Sequence, residues 1–218
     1  MLWAPFVLCN QYAANNANLF LLGYGTPLSL TLTHQVTLGD TMVNIQQLRH
    51  EYNQGYRDFS GISLRSVNLK QTHLSGVDFS HCDLSNADVS GADLSRSDLI
   101  GSNLTDADLT QTDLSGTRLM GANFIGADLS GASLVGADLT QADLRMANLE
   151  GADLRGANLT AAIVSGANFC NANLTAACLD ETGLNDTDHD GANLGHLRAP
   201  VMNDSAEEAH RWVSWGAH

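Results

Sequence analysis

From Arg57 to His196 the apolar positions of this chain recur every five residues, in twenty-eight consecutive phrases that run without insertion from Arg57-Asp58-Phe59-Ser60-Gly61 to Ala192-Asn193-Leu194-Gly195-His196. The central residue of the phrase is Leu 21 times, Phe four times (Phe59, Phe79, Phe124, Phe169), Val twice (Val89, Val164) and His once (His189). Two positions earlier stands Ala 16 times; immediately before the centre stands Asp 13 times or Asn eight times; two positions after it stands Gly 13 times. A period of five fits neither the helical repeat of about 3.6 nor the strand repeat of about 2. It predicts a solenoid, in which each phrase is one short side of a coil. Alternating side-chain direction puts the centre and the small residue two before it on the inward side. Asp or Asn then falls beside a bend, where its side chain can accept from nearby amides, and Gly relieves the steric cost of turning.

Outside the array the pattern changes twice. Ile45, Leu48 and Tyr52 recur at helical spacing between Asn44 and Gln54, with Asn44 as N-cap, Gln47 as its capping-box partner and Gly55 placed for a left-handed C-terminal residue. The segment 42–56 is therefore expected to be an N-terminal capping helix over the first coil. After Pro200, Ser205-Ala206-Glu207-Glu208 opens a second short helix bearing Ala209, Trp212 and Val213, with Trp215 close behind. Within 197–218, Trp212 and Trp215 are expected either to plug the open end of the array or to make a homodimer contact.

The A-(D/N)-L-x-G phrase resembles the pentapeptide repeat family, and the lead-in Leu48-Arg49-His50-Glu51-Tyr52-Asn53-Gln54-Gly55-Tyr56 resembles the start of cyanobacterial members. The resemblance implies an all-β fold, a right-handed quadrilateral β-helix with four phrases per coil and hence about seven coils. Strands about 4.8 Å apart would then make a rod roughly 34 Å long. Centres 20 residues apart should stack, Leu99 with Leu119 and Leu139, Leu104 with Phe124 and Leu144.

Composition narrows the chemistry. Ten Lys and Arg against 24 Asp and Glu give a net charge of −14, which opposes direct binding to nucleic acid or an anionic membrane and favours a basic partner. Counted in 20-residue coils from Arg57, the charge is +2, −3, −4, 0, −2, 0 and −5. Asp78, Asp83, Asp88, Asp93, Asp98, Asp108 and Asp113 form an acidic band in coils two and three. The residue after each centre points outward and is usually Ser or Thr. Ile100, Met120, Ile125 and Val135 break that habit and mark a candidate contact surface.

The four cysteines, Cys9, Cys82, Cys170 and Cys178, form no CxxC pair and suggest a reducing, cytoplasmic compartment. No run of about 18 apolar residues predicts a membrane span. Residues 1–41 carry Asp40 as their only charged side chain and lack the basic start of a secretory signal. They are expected to be a bland tail or sequence ahead of a start at Met42, with an uncleaved export or anchoring segment as the alternative.

No catalytic motif and no cofactor or metal site is expected. Asp186-Thr187-Asp188-His189-Asp190-Gly191 opens like a calcium loop, but the twelfth position would be Leu197 instead of a bidentate Glu. His189 is expected to be a terminal, partly wet position. The functional expectation is a noncatalytic, rigid acidic rod that binds an unidentified protein through one face. Its alternative, drawn from acidic family members that protect or inhibit DNA gyrase, is a DNA mimic.

Overall fold

A five-residue phrase that spends two residues on a turn has little length left for a strand. The computed structural model describes residues 45–179 and 181–199, within the compact unit Leu38–His218. Over nearly every phrase the residue before the centre makes one isolated parallel bridge to its counterpart twenty residues on, as in Asp98 to Arg118 and Arg118 to Asp138. Around each bridge the amides are paired: Leu99 N–H donates to the Arg118 carbonyl (2.8 Å) and Arg118 N–H to the Ser97 carbonyl (3.0 Å). The phrase then turns. Ala122 N–H donates back to the Leu119 carbonyl (3.0 Å), closing a turn whose second inner residue has positive φ, 65° at Gly121. A negative φ followed by a positive one is the type II pattern, which explains why this position favours Gly.

This geometry corrects the expected fold class. Among the described residues there is no extended strand; the helical elements are α1, Ile45–Asn53, and a 3₁₀ helix, Glu181–Asp186. Each phrase contributes a single bridged residue because the positive-φ turn residue interrupts the extended run before a second bridge can form. Among the described residues the quadrilateral β-helix is therefore not what is observed, and neither is the rigid β-solenoid rod on which the functional expectation rested. The DNA-mimic alternative, which needs a rigid duplex-like body, falls with it. The acidic side chains also fail to make an unbroken stripe, since the Asp58, Asp78, Asp98 column continues with Arg118.

The bridges define four columns of phrases, and the core lies between them. Leu99, Leu119 and Leu139 occupy one column and Leu104, Phe124 and Leu144 the next, all 0% exposed. The Ala residues two before the centre are buried beside them, as at Ala122, Ala127 and Ala142. Where Thr replaces Ala, its hydroxyl is satisfied by a backbone carbonyl, either one turn back, as Thr112 donates to Val89 (2.9 Å) and Thr117 to Leu94 (3.0 Å), or three residues back, as Thr72 donates to Leu69 (2.6 Å). No buried side-chain nitrogen or oxygen lacks a partner among the described residues, so the small polar substitutions cost little.

The helix α1 ends in a Schellman arrangement, with Tyr56 N–H on the Glu51 carbonyl, Gly55 N–H on the Tyr52 carbonyl and Gly55 at φ 94°. Leu48 is buried, and Ile45 and Tyr52 are packed against the core. The Tyr52 hydroxyl donates to the Ser75 carbonyl (2.9 Å), fastening the helix to the first turn of phrases. The second predicted helix, with Trp212 and Trp215, and residues 1–41 lie outside the described residues.

Candidate functional site

The residue before each centre is held by its own turn. In all seven aspartates of the acidic band, Oδ1 accepts the N–H of the residue two positions on, at 2.9 to 3.0 Å. A hydroxyl at that second position often joins in, as when Ser90 donates to Asp88 (2.6 Å). This Asx-type turn explains the preference for Asp and Asn, both of which offer the same acceptor oxygen. The band is divided among the columns: Asp88 stacks with Asp108 and Asp128, Asp93 with Asp113 and Ser133, and Asp83 with Asn103. Asn103 donates to Asp83 (3.1 Å), and Arg118 pairs with Asp98 at 2.6 Å, so neighbours offset part of the repulsion between stacked carboxylates.

These contacts shift titration. The Ser85 and Ser90 side chains lead the hydrogen bonds that hold Asp83 and Asp88 below the usual carboxylate range, over the opposing effect of burial. Arg145 and Arg155 do the same for Asp143 and Asp153 in the Asp-Leu-Arg phrases. A lowered folded pKa contributes stability that is present above the unfolded value of about 3.9 and is lost as pH falls through the folded value. The melting temperature is therefore expected to drop below about pH 4. Asp83→Asn with Asp88→Asn keeps both turn acceptors but removes their titration, so melts recorded from neutral to acid pH should show a shallower acid limb than wild type. Coincident limbs would refute the assignment.

The apolar candidates divide. Ile100 and Met120 do stack, with Gly101 N–H on the Met120 carbonyl (3.0 Å), but Met120 is exposed while Ile100 is half-buried. Ile125, also half-buried, sits in the next column, and half-buried Val135 lies in a different column again. Within the array, two larger exposures escaped the sequence reading: Met146, 70% exposed, and Ile163, 48% exposed. Each stands where the phrase normally carries something else, Met146 at the positive-φ turn position (58°) and Ile163 where Asp or Asn would accept the turn amide. Met146 lies one turn from Gly166, with its sulfur against the position a Gly166 Cβ would take, and Ile163 bridges to Asp143. Ile125, Met146 and Ile163 thus belong to one column of phrases, and Ile100 and Met120 lie on the turns that lead into it.

Three groups outside the acidic band are also candidates for chemistry: Cys82, Cys170 and His189. The Cys82 thiol is buried, donates to the Phe59 carbonyl (3.1 Å), and is pushed up to about 12 by burial. Cys170 lies in a shallow depression with Glu150 and Asp190, and its hydrogen bond with Asp188 raises it, which disfavours the thiolate. His189 is exposed, with Nδ1 3.2 Å from the Thr187 carbonyl. No group of three or more His, Cys, Asp or Glu side chains is arranged to hold a metal ion among the described residues, the Asp186–Asp190 segment included. No helix there is long and apolar enough to cross a membrane.

Comparison with known proteins matches the array itself. Solved structures that it resembles include HetL, a pentapeptide repeat protein involved in heterocyst differentiation regulation from the cyanobacterium Nostoc sp. strain PCC 7120. That match is 27% identical, covers 72% of this chain and 94% of HetL, and has a TM-score of 0.37. A pentapeptide repeat protein from the Arabidopsis thaliana thylakoid lumen is 33% identical over 52% of this chain and 81% of that one, with a TM-score of 0.42. Another from Nostoc is 38% identical over 48% and 84%, with a TM-score of 0.44. No curated protein matches. The family model for pentapeptide repeats matches in 8 copies, over residues 58–96, 78–116, 90–124, 117–156 and 152–188. With the five-residue phrase carried in both sequence and bridge register, the chain belongs to the pentapeptide repeat family.

Proposed function

We propose that this chain is a noncatalytic protein-interaction module whose contact surface is the column of phrases bearing Ile125, Met146 and Ile163, entered by way of Ile100 and Met120. The observation that carries this reading is the exposure of Met120, Met146 and Ile163 at positions where the repeat otherwise places polar residues or Gly. Two of these exposures work against stability. A non-Gly residue at positive φ costs on the order of 1 kcal/mol, and Ile163 gives up the turn acceptor that its neighbours retain. Residues kept at a stability cost and presenting apolar surface to water fit a binding role. The turn 157–176 around Ile163 carries no Asp, Glu, Lys or Arg, so no formal charge there has to be desolvated by a docking partner. The carboxylates of Asp78, Asp83, Asp88, Asp93, Asp98, Asp108 and Asp113 favour a partner with basic groups flanking its apolar contact.

The test is site-specific photocrosslinking in cells that produce the protein, with the probe at position 120 or 146 and a control at Ser130, in another column. A discrete adduct from 120 and 146 but not 130 is expected. Affinity for the adducted protein should then fall by at least about tenfold in a Met120→Lys, Met146→Lys, Ile163→Lys variant, the loss of about 1.4 kcal/mol or more. Equal affinity of variant and wild type would exclude this surface.

A further inference from the structure

Methionine is an apolar, adaptable filler found most often in cores, yet both methionines among the described residues lie outside this one. Met120 is 41% and Met146 70% exposed, and both belong to the contact surface proposed above. The positive-φ positions one turn to either side of Met146 are Gly126 and Gly166, so no side chain in that row screens it. Its sulfur rests against the place a Gly166 Cβ would take. Met120 stands exposed between half-buried Ile100 and half-buried Thr140, with Gly121 next in the chain.

The sulfur atoms differ in what a two-electron oxidant requires of them. Cys82 is buried and Cys170 and Cys178 are half-buried, and each attacks as its thiolate. Cys170 is hydrogen-bonded to Asp188, and the Cys178 Sγ lies 3.4 Å from the Thr160 hydroxyl. A thioether has no proton to lose and has only to be reached. Among the described residues, the two sulfurs that need nothing but access are therefore the two that have it.

We propose that Met120 and Met146 are oxidation sites at which hydrogen peroxide switches the contact surface off, an inference that rests on the contact role proposed above. The step is an oxygen transfer. The sulfur lone pair attacks one peroxide oxygen, the O–O bond breaks as the S–O bond forms, and the second oxygen leaves as water with both protons. Sulfur loses two electrons and the peroxide gains them. The resulting sulfoxide is polar and cannot be buried against apolar groups of a partner without loss. A methionine sulfoxide reductase restores the thioether, two thiols becoming a disulfide while the oxygen leaves as water. The fold itself is left alone. Both side chains stand outside the leucine columns, and their backbones stay paired, Gly101 N–H on the Met120 carbonyl and Met146 N–H on the Ser165 carbonyl.

Peptide mass spectrometry of the full-length protein exposed to hydrogen peroxide, folded or in urea, tests access. Each of the two methionines should gain one oxygen in the folded protein at a rate within about tenfold of its rate in urea, with the melting temperature unchanged. A slower reaction at either position, or a protein that unfolds once oxidised, would overturn the proposal. The switch is read with full-length protein carrying a photocrosslinker at position 125, which lies in the same surface and leaves both methionines in place, mixed with extract of the producing cells. Treatment with peroxide, removed before mixing, should lower the adduct yield on the order of tenfold, and the reductase should restore it. A Met120→Leu, Met146→Leu variant should give the adduct and keep it after peroxide. Unchanged yield from oxidised wild type, or an equal fall in the leucine variant, would overturn the switch alone. No adduct from untreated protein would overturn the contact role, and the switch with it.

Discussion

Leu119→Asp is expected to abolish the folded state. Leu119 is 0% exposed, between Leu99 and Leu139 in its column, and its amide pairs with the Asp138 carbonyl at 2.7 Å. A carboxylate placed there meets apolar neighbours, with Leu99 and Leu139 above and below it in the column. It forfeits the roughly 1.5–3 kcal/mol gained by burying the leucine. It also adds the several kcal/mol needed to desolvate an unpaired acid or to keep it protonated. Against a total stability of about 5–15 kcal/mol, that sum removes most or all of the margin. Leu119→Met, close in volume, is the control and should cost under about 1.5 kcal/mol. Calorimetry of the three proteins checks the prediction. A cooperative transition for Leu119→Asp within a few degrees of wild type would show that position 119 does not face the core.

The sequence makes the register of this fold legible and hides its secondary structure, for a definite reason. A period of five tells which side chains share a column: Leu104, Phe124 and Leu144 follow from counting. It does not tell how many successive residues pair, and that is decided by the turn. Once the residue two after the centre takes positive φ, as at Arg96 and Met146, the extended run ends after one bridge. The β-helix expectation came from the family resemblance, and the strands it implied are not something the register itself requires.

The 3₁₀ helix Glu181–Asp186 was hidden differently. Thr182-Gly183-Leu184-Asn185-Asp186 fits the phrase, but Gly183 has no side chain to accept the turn amide. No bridge joins Ile163 to residue 183, and the segment takes up local helical hydrogen bonding instead.

The candidate surface was half legible. Ile100, Met120, Ile125 and Val135 were found by a rule about the residue after the centre. Applied to the residue before the centre and to the turn residue, the same rule finds Ile163 and Met146, whose exposures exceed that of Met120. What no rule on a single phrase reveals is which of these positions share a column. That needs the count of four phrases per turn, which places Ile125, Met146 and Ile163 together and leaves Val135 apart. The aspartates illustrate the converse. They are expected both to serve the bend and to make an acidic band, and in each of the seven one oxygen is committed to the turn, so about half of their acceptor capacity remains for the surface.

Phe124→Ala should be the next most damaging change and should separate size from polarity. Phe124 is 0% exposed and its column neighbours are Leu104 and Leu144, so the ring occupies a slot that leucine fills in the turns on either side. Phe124→Leu is therefore expected to cost under about 1.5 kcal/mol, because the surrounding phrases already accommodate that shape. Phe124→Ala leaves a cavity that the paired backbone cannot close, since Phe124 N–H is held to the Asp143 carbonyl (2.7 Å) and Leu104 N–H to the Asn123 carbonyl (2.7 Å). A loss of about 3–5 kcal/mol follows, equivalent to a fall of about 10 °C in melting temperature for a chain of this size. The loss should also be local in its first effects. Phrases pair with those twenty residues away, so amides in 104–144 should lose exchange protection before those of the first turn. Thermal melts and hydrogen exchange of the two variants read both expectations. Equal melting temperatures for Phe124→Leu and Phe124→Ala would mean that the column can collapse around a missing side chain, and that its register is held by the backbone bridges alone.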